Sequence, residues 1–207
     1  MRLVSLRDIV KNGEMSSLSP LLLIAKELNL NYLIEENGLI TGPAVGLSIL
    51  IDKITKQLPI KSMLDLCCGS GAITKIANRN GVKKIVCVDK NTKAAELNIG
   101  KINDIEIVKG DIMKFEIEEY FDLIVLDAPR EILPKISRRF DEFIKKSNIF
   151  VLWNGSCEEI EWNQSIRDIL RENSKIVYSF SIYGEEISAC SSTKIGIEWL
   201  RKFYRRW

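Results

Sequence analysis

The chain has 207 residues, which suits one domain, or one domain with a small extension, and a core of ordinary size. Its 30 basic and 28 acidic residues leave a formal charge of +2, so bulk charge identifies no partner; the absence of histidine removes the commonest general base, the usual catalytic triads and most metal sites. No apolar run is as long as a membrane span, Met1–Asn12 does not read as a signal peptide, and 5 cysteines without a CxxC pair argue against a zinc site or disulfide framework and for a reducing cytoplasm.

In chain order, Met1–Ser16 is polar, with a short helix expected from Ser5 to Lys11. Ser19-Pro20 is a good helix start, a capping serine with proline in the first turn, and Leu21–Leu28 follows as helix. Asn31–Ile34 and Gly38–Thr41 flank an Asn37-Gly38 pair that predicts a turn or small hairpin. Thr41-Gly42-Pro43 opens a second helix, Ala44–Gln57, whose Leu47, Leu50, Ile51 and Ile54 form one face and which Pro59 ends.

The next stretch, Ser62 to Asn91, organises everything after it. It reads as a buried strand Met63–Leu66, a glycine turn Gly69-Ser70-Gly71, a helix Ala72–Asn80 closed by Gly81, and a second strand Lys84–Val88 ending in Asp89. This is one βαβ half of a nucleotide-binding sheet. The glycines let backbone amides approach a ligand, and Asp89 at the strand tip is placed to accept hydrogen bonds from ribose hydroxyls. A P-loop is excluded because no GK[ST] follows. A dinucleotide loop is incomplete because Thr74 stands at the third glycine position.

Further along, Thr92–Asn103 predicts a helix, Ile105–Val108 a strand leading to Gly110-Asp111-Ile112, and Phe121–Leu126 a central strand apolar on both faces. That strand ends in Asp127-Ala128-Pro129-Arg130. A charged helix is expected over Glu131–Lys146, a strand over Asn148–Trp153, a helix over Glu158–Glu172 opened by Ser156-Cys157, and a strand over Lys175–Tyr183. Gly184-Glu185-Glu186 reads as a turn, with Ile187–Cys190 beginning the returning strand. Ser191–Trp207 fits strand or helix, and its end, Arg201-Lys202-Phe203-Tyr204-Arg205-Arg206-Trp207, either contacts phosphates and bases or closes the core.

An acid, GxG, and a second acid at the next strand end resemble motif I of the class I S-adenosylmethionine-dependent methyltransferases; Asp65, Gly69, Gly71 and Asp89 carry the match, with Cys67 where many members have another glycine. The resemblance implies an α/β fold: a three-layer α/β/α sandwich with a mostly parallel Rossmann-like sheet, a C-terminal antiparallel strand pair and an N-terminal helical extension. Residues 1–60 would be the extension and 61–207 the S-adenosylmethionine-binding domain. The cofactor would be held by Asp65, Cys67, Gly69, Ser70, Gly71, Asp89 and Lys90, with Asp111 and Ile112 at the adenine and Asp127 beside the methyl group. Asp127 and Arg130 would face the acceptor as the catalytic pair, with no metal. DAPR lacks the second proline and aromatic of the (D/N)PP(Y/F) motif, which argues against adenine or cytosine N-methylation. FDLIVLDAPR looks more like a segment of RNA 5-methylcytosine methyltransferases, with Arg130 in place of their motif IV cysteine and Cys157 as the candidate nucleophile. The expected acceptor is therefore RNA, with a protein or small molecule open. The rivals are a non-catalytic S-adenosylmethionine-binding subunit and an NAD-dependent oxidoreductase.

Overall fold

A computed structural model describes residues 2–7, 19–36, 39–41 and 44–207. The N-terminal part holds the two helices and the hairpin expected, with one further strand. Between and around the helices α1 (Ser19–Glu27) and α2 (Val45–Gln57) run three short strands, β1 (Arg2–Ser5), β2 (Tyr32–Glu36) and β3 (Leu39–Thr41). They form their own antiparallel sheet in the order β1-β2-β3, with Leu3 opposite Ile34 and Glu35 opposite Ile40. Val4, Leu33 and Ile34 are buried, while Leu3 faces solvent. Of the helix expected over Ser5–Lys11, only Leu6 and Arg7 are helical and residues 8–11 lie outside the described residues, as do Asn37-Gly38 and Gly42-Pro43.

The main sheet has seven strands: β4 (Ser62–Leu66), β5 (Lys84–Asp89), β6 (Ile105–Lys109), β7 (Phe121–Leu126), β8 (Ser147–Ser156), β9 (Ile176–Ile182) and β10 (Glu185–Ser191). Their order is β6-β5-β4-β7-β8-β10-β9, with β10 antiparallel to both neighbours and the other pairings parallel. The order in which strands are added reverses at β4: β5 and β6 extend to one side and β7 starts the other. In open α/β sheets, ligands bind outside the carboxyl ends of the strands at such a switch point.

Alternation in the strands feeds two cores. Met63, Leu123, Val125 and Val151 face α2, α3 (Ala72–Arg79) and α8 (Lys194–Tyr204). Leu64, Ile124, Leu126 and Leu152 face α6 (Phe140–Lys145) and α7 (Ile160–Asn173). The apolar face expected on α2 is real, since Leu47, Leu50, Ile51 and Ile54 are fully buried in the first core. The N-terminal helix thus shares its packing with the sheet.

Several boundaries differ from expectation for identifiable reasons. The helix after Asp89, α4 (Lys93–Ile99), stops at Gly100. The segment Glu131–Lys146 is not one helix: a 3-10 turn (Arg130–Ile132), α5 (Leu133–Ile136), a second 3-10 turn (Ser137–Arg139) and α6 succeed one another. Pro134 has no amide to donate to a carbonyl four residues back, which favours tighter winding before it. The second irregularity lets Arg139 bind the carbonyls of Ile112 and Phe115. The hairpin turn is Tyr183-Gly184, both with positive φ (51° and 77°), as a two-residue hairpin requires, so Glu185 and Glu186 belong to β10. Likewise β8 continues to Ser156, and α7 begins only at Ile160, leaving Cys157 in the intervening turn. The ambiguous C-terminus is helical: the Thr193 hydroxyl oxygen accepts the Gly196 amide at 2.9 Å, and Leu200 and Phe203 are buried.

Candidate cofactor and acceptor site

Three carboxylates meet at the switch point because three neighbouring parallel strands each carry an aspartate at or beside their carboxyl end: Asp65, one residue before the end of β4, Asp89 at the tip of β5 and Asp127 just after β7. The loop between β4 and α3 passes among them. It takes three left-handed residues to turn this tightly, Cys67 (φ 63°), Gly69 (φ 53°) and Gly71 (φ 79°). At Gly71 a Cβ would also lie 2.6 Å from the Ile99 side chain of α4, so glycine is required there for space and for conformation. Cys67 occupies the position where the resembling family often has glycine, and it holds a glycine-like backbone. A left-handed non-glycine residue costs about 1–2 kcal/mol, partly offset by the unfolded-state entropy of glycine. Cys67→Gly is therefore expected to raise stability by roughly 0.5–1 kcal/mol, read as a higher urea midpoint with unchanged slope; a lower midpoint would refute the strain.

Asp65 is fully buried, and its Oδ2 accepts both the backbone amide (3.1 Å) and the hydroxyl (2.6 Å) of Thr74, in the first turn of α3. The threonine at the third glycine position thus ties the strand end to the helix start. Oδ1 of Asp65 is buried with no hydrogen-bond partner in the protein. Burial pushes the Asp65 carboxyl up to about 6; the two Thr74 bonds oppose this and the charge of Asp89 adds to it.

Asp89 accepts the Gly69 amide on Oδ2 and the Asn91 amide on Oδ1, each at 2.9 Å. Gly69 therefore orients the carboxylate, rather than offering its amide to a ligand as expected. Each carboxylate oxygen keeps a second lone-pair direction. Lys90 reaches from the same strand end to Asp111, at 3.2 Å. Asp111 also accepts the Met113 amide at 3.0 Å, and that bond, with Lys90, holds its carboxyl below the usual range. Ile112 is buried in the core on the α6–α7 side. Ser70 is buried, its carbonyl accepting the Asn98 side-chain amide at 2.9 Å.

Asp127 accepts a backbone hydrogen bond from Ala44, at the entry to α2. Burial, with the charges of Asp65 and Glu185, pushes its carboxyl up to about 7. Glu185 itself caps α2, accepting the amides of Val45 (2.8 Å), Gly46 (3.0 Å) and Leu47 (3.3 Å). Arg130 stands 50% exposed at the rim; it is paired with Glu159 and lies 5.5 Å over the Trp162 ring. Its charge is thus already balanced by a neighbour. Cys157 donates its amide to the Gly184 carbonyl at 2.8 Å, which joins the turn after β8 to the β9–β10 hairpin. Burial and the charges of Asp89, Asp127 and Asp65 push the Cys67 thiol well up, away from thiolate chemistry.

Two contributors carried no sequence signal. Glu185 reads as a turn residue until β10 is paired to β8 and brings it under α2. Asn98 reads as one polar residue of a helix. Its side chain accepts the amides of Asn31 and Tyr32 and donates to the carbonyls of Tyr32 and Ser70, so it fastens β2 to the glycine loop.

The arrangement fits S-adenosylmethionine on its own chemistry. The ligand brings an ammonium and a sulfonium, and the site supplies three converging carboxylates, one with an unpartnered buried oxygen. Asp89 has free lone pairs for two ribose hydroxyls. Among the described residues no group of three or more histidine, cysteine or acidic side chains is placed to hold a metal ion, and no helix is long and apolar enough to cross a membrane.

Comparison with known proteins agrees with this geometry. A curated relative, the ribosomal protein L11 methyltransferase of Thermosipho melanesiensis, is 33% identical over 94 residues, covering 44% of this chain and 36% of that one. An uncharacterized RNA methyltransferase of Clostridium acetobutylicum is 32% identical over 103 residues, 47% of this chain and 22% of that one. The chain thus spans about a third or less of these relatives' length. Among solved structures, the ribosomal protein L11 methylase of Lactobacillus delbrueckii subsp. bulgaricus superposes with a TM-score of 0.60 at 23% identity, covering 76% of this chain and 83% of that one, which supports the Rossmann-like fold. The family model of the FtsJ-like methyltransferases matches residues 46–155, from the first turn of α2 through β8 and so across all three carboxylates, and the chain belongs to that family.

Proposed function

We propose that the chain transfers a methyl group from S-adenosylmethionine to RNA, with Asp127 and Arg130 facing the acceptor. The observation that carries the donor half is the convergence of Asp65, Asp89 and Asp127 on the glycine loop, with Oδ1 of Asp65 unpartnered. In this reading Asp65 and the Cys67–Gly71 loop hold the amino acid end, Asp89 and Lys90 border the ribose, and Asp111 and Ile112 border the adenine. The donor supplies an already activated methyl group, so the protein's work is alignment and removal of the acceptor's proton. Asp127, with a carboxyl near neutrality, is suited to take that proton. Residues 1–60 serve as an extension that closes this end of the cofactor domain, 61–207, through Ala44 and Asn98. The 5 free cysteines suit a cytoplasmic setting.

RNA is supported by the exposed cations of α8 and by the relative named as an RNA methyltransferase. A second reading, a protein amine, has its own support: the carboxylates Asp127 and Glu185 would attract an ammonium, and other relatives are named for ribosomal protein L11. An NAD-dependent reading is disfavoured because Thr74 fills the third glycine position with a side chain bonded to Asp65. Calorimetric titration with S-adenosylhomocysteine and with NAD tests the donor; binding of the first alone is expected, and binding of NAD alone would overturn the reading. Transfer of labelled methyl to RNA, against transfer to ribosomal protein, then decides the acceptor.

A further inference from the structure

The C-terminal helix carries a feature that methyl transfer at the switch point does not use. α8 runs from the amino edge of the sheet, where Gly196 packs on the Asn148 carbonyl, back toward the carboxyl edge. Its inner side is spent on the core: Leu200 and Phe203 are buried, and Trp207 sits edge-on to Phe180 at 5.2 Å. Its outer side and the turn that follows it present Arg201, Lys202, Arg205 and Arg206, all exposed, around an open surface cavity of about 410 Å³ that contains one acid, Glu198. Elsewhere on this protein, exposed cations such as Lys56, Lys145 and Arg171 sit in ion pairs with aspartates. Among the described residues none of these four has such a partner. Next to them, Tyr204 is held by Tyr178, stacked at 4.3 Å, and is still 48% exposed, so a positioned aromatic ring borders the cations.

Unpaired cations around a concavity, beside a positioned aromatic ring, are the two components of single-strand nucleic-acid binding: phosphates follow the charges and a base stacks on the ring. We propose that the outer face of α8 and the turn after it form a docking surface for single-stranded RNA, with Arg201, Lys202, Arg205 and Arg206 on phosphates and Tyr204 under a base. This deepens the RNA reading and rests on it. The surface lies over the β8–β10–β9 side of the sheet, beyond the β7 strand that leads to Asp127.

The test is binding of a labelled single-stranded RNA of about 20 nucleotides, longer than the usual single-module footprint, to the full chain over a range of salt. Removing two phosphate contacts with Arg201→Ala/Arg205→Ala is expected to flatten the slope of log K against log salt by about 1.4, at roughly 0.7 per contact. Tyr204→Leu is expected to weaken binding about tenfold with the slope unchanged, as loss of a stack does. The double variant should keep the wild-type melting temperature, Tyr204→Leu should melt slightly lower through loss of its stack on Tyr178, and both should keep the wild-type affinity for S-adenosylhomocysteine. Wild-type binding with no change of slope in the double variant overturns the docking surface and leaves the RNA reading standing. Competition by polyglutamate as strong as by RNA, or binding of duplex RNA alone, also overturns it. A wild type that neither binds nor methylates RNA fails the acceptor reading itself, and the docking surface with it.

Discussion

Asp89→Ala is expected to lower affinity for S-adenosylhomocysteine by about two to four orders of magnitude. The reasoning is additive at first order: two hydrogen bonds from ribose hydroxyls to a charged carboxylate contribute roughly 1.5–3 kcal/mol each, and each 1.4 kcal/mol is tenfold. The substitution also removes the acceptor of the Gly69 and Asn91 amides, so the glycine loop loses the contact that orients it. Asp89→Asn separates the two effects. Its amide keeps one acceptor oxygen but directs two donors, one toward a backbone amide or a hydroxyl, and it should fall between wild type and alanine. Calorimetry at constant pH measures all three proteins, and melting curves check that each is folded. A loss smaller than about fivefold for the alanine variant would remove Asp89 from the ribose site.

Asp127→Asn is the second large effect, and it belongs to turnover rather than to donor binding. A positioned general base contributes about 10²–10⁴-fold, so turnover should fall in that range while affinity for S-adenosylhomocysteine changes little. The pH profile carries the diagnostic sign. The carboxyl is pushed up to about 7, so the base form is the minority below that pH and the majority above it. Wild-type turnover should rise with pH through about 7, and the variant's should be flat there. Stability moves the opposite way. The folded carboxyl lies above the ordinary value of about 3.9, so the folded state binds this proton more tightly than the unfolded chain does. The stabilising contribution is complete below about pH 4 and is lost as pH rises through about 7. Asp127→Asn removes that loss, and at pH 8 it should melt no lower than wild type. An inactive variant that is stable and still binds the donor places the defect in the chemical step; a fully active one takes Asp127 out of it.

The contrast between Asp89 and Asp127 shows what a linear reading reaches. Both were legible as acids at strand ends, because apolar runs such as Phe121–Leu126 with an aspartate after them can only be central strands opening onto an edge. Their difference in character was not legible. Asp89 is held by one amide of its own loop and one of the glycine loop, two and twenty residues away, whereas the proton affinity of Asp127 comes from burial and from Asp65 and Glu185, the last 58 residues further along the chain by number. Thr74 is the intermediate case: the sequence marks it as a departure from a glycine pattern, and folding reveals that the departure is a bond to Asp65.

The sequence by itself determined the parallel strands, the glycine loop with its acids, the buried face of α2 and the layered architecture. Those features follow from local rules: period-two and period-3.6 apolar patterns, and turns that only certain residues can make. The tertiary structure alone decided four things. It added β1 to the N-terminal segment, because β1 finds its partner β2 some thirty residues later in the chain. It turned Glu185 into the cap of α2 and Asn98 into the fastener of the glycine loop, since hydrogen bonds between distant elements leave no periodicity. It neutralised Arg130 with Glu159. And it divided the basic C-terminus in two, placing the apolar and aromatic side chains Leu200, Phe203 and Trp207 against the sheet and leaving the four cations in water. A helix has two sides, and only the surface it packs against decides which residues are buried.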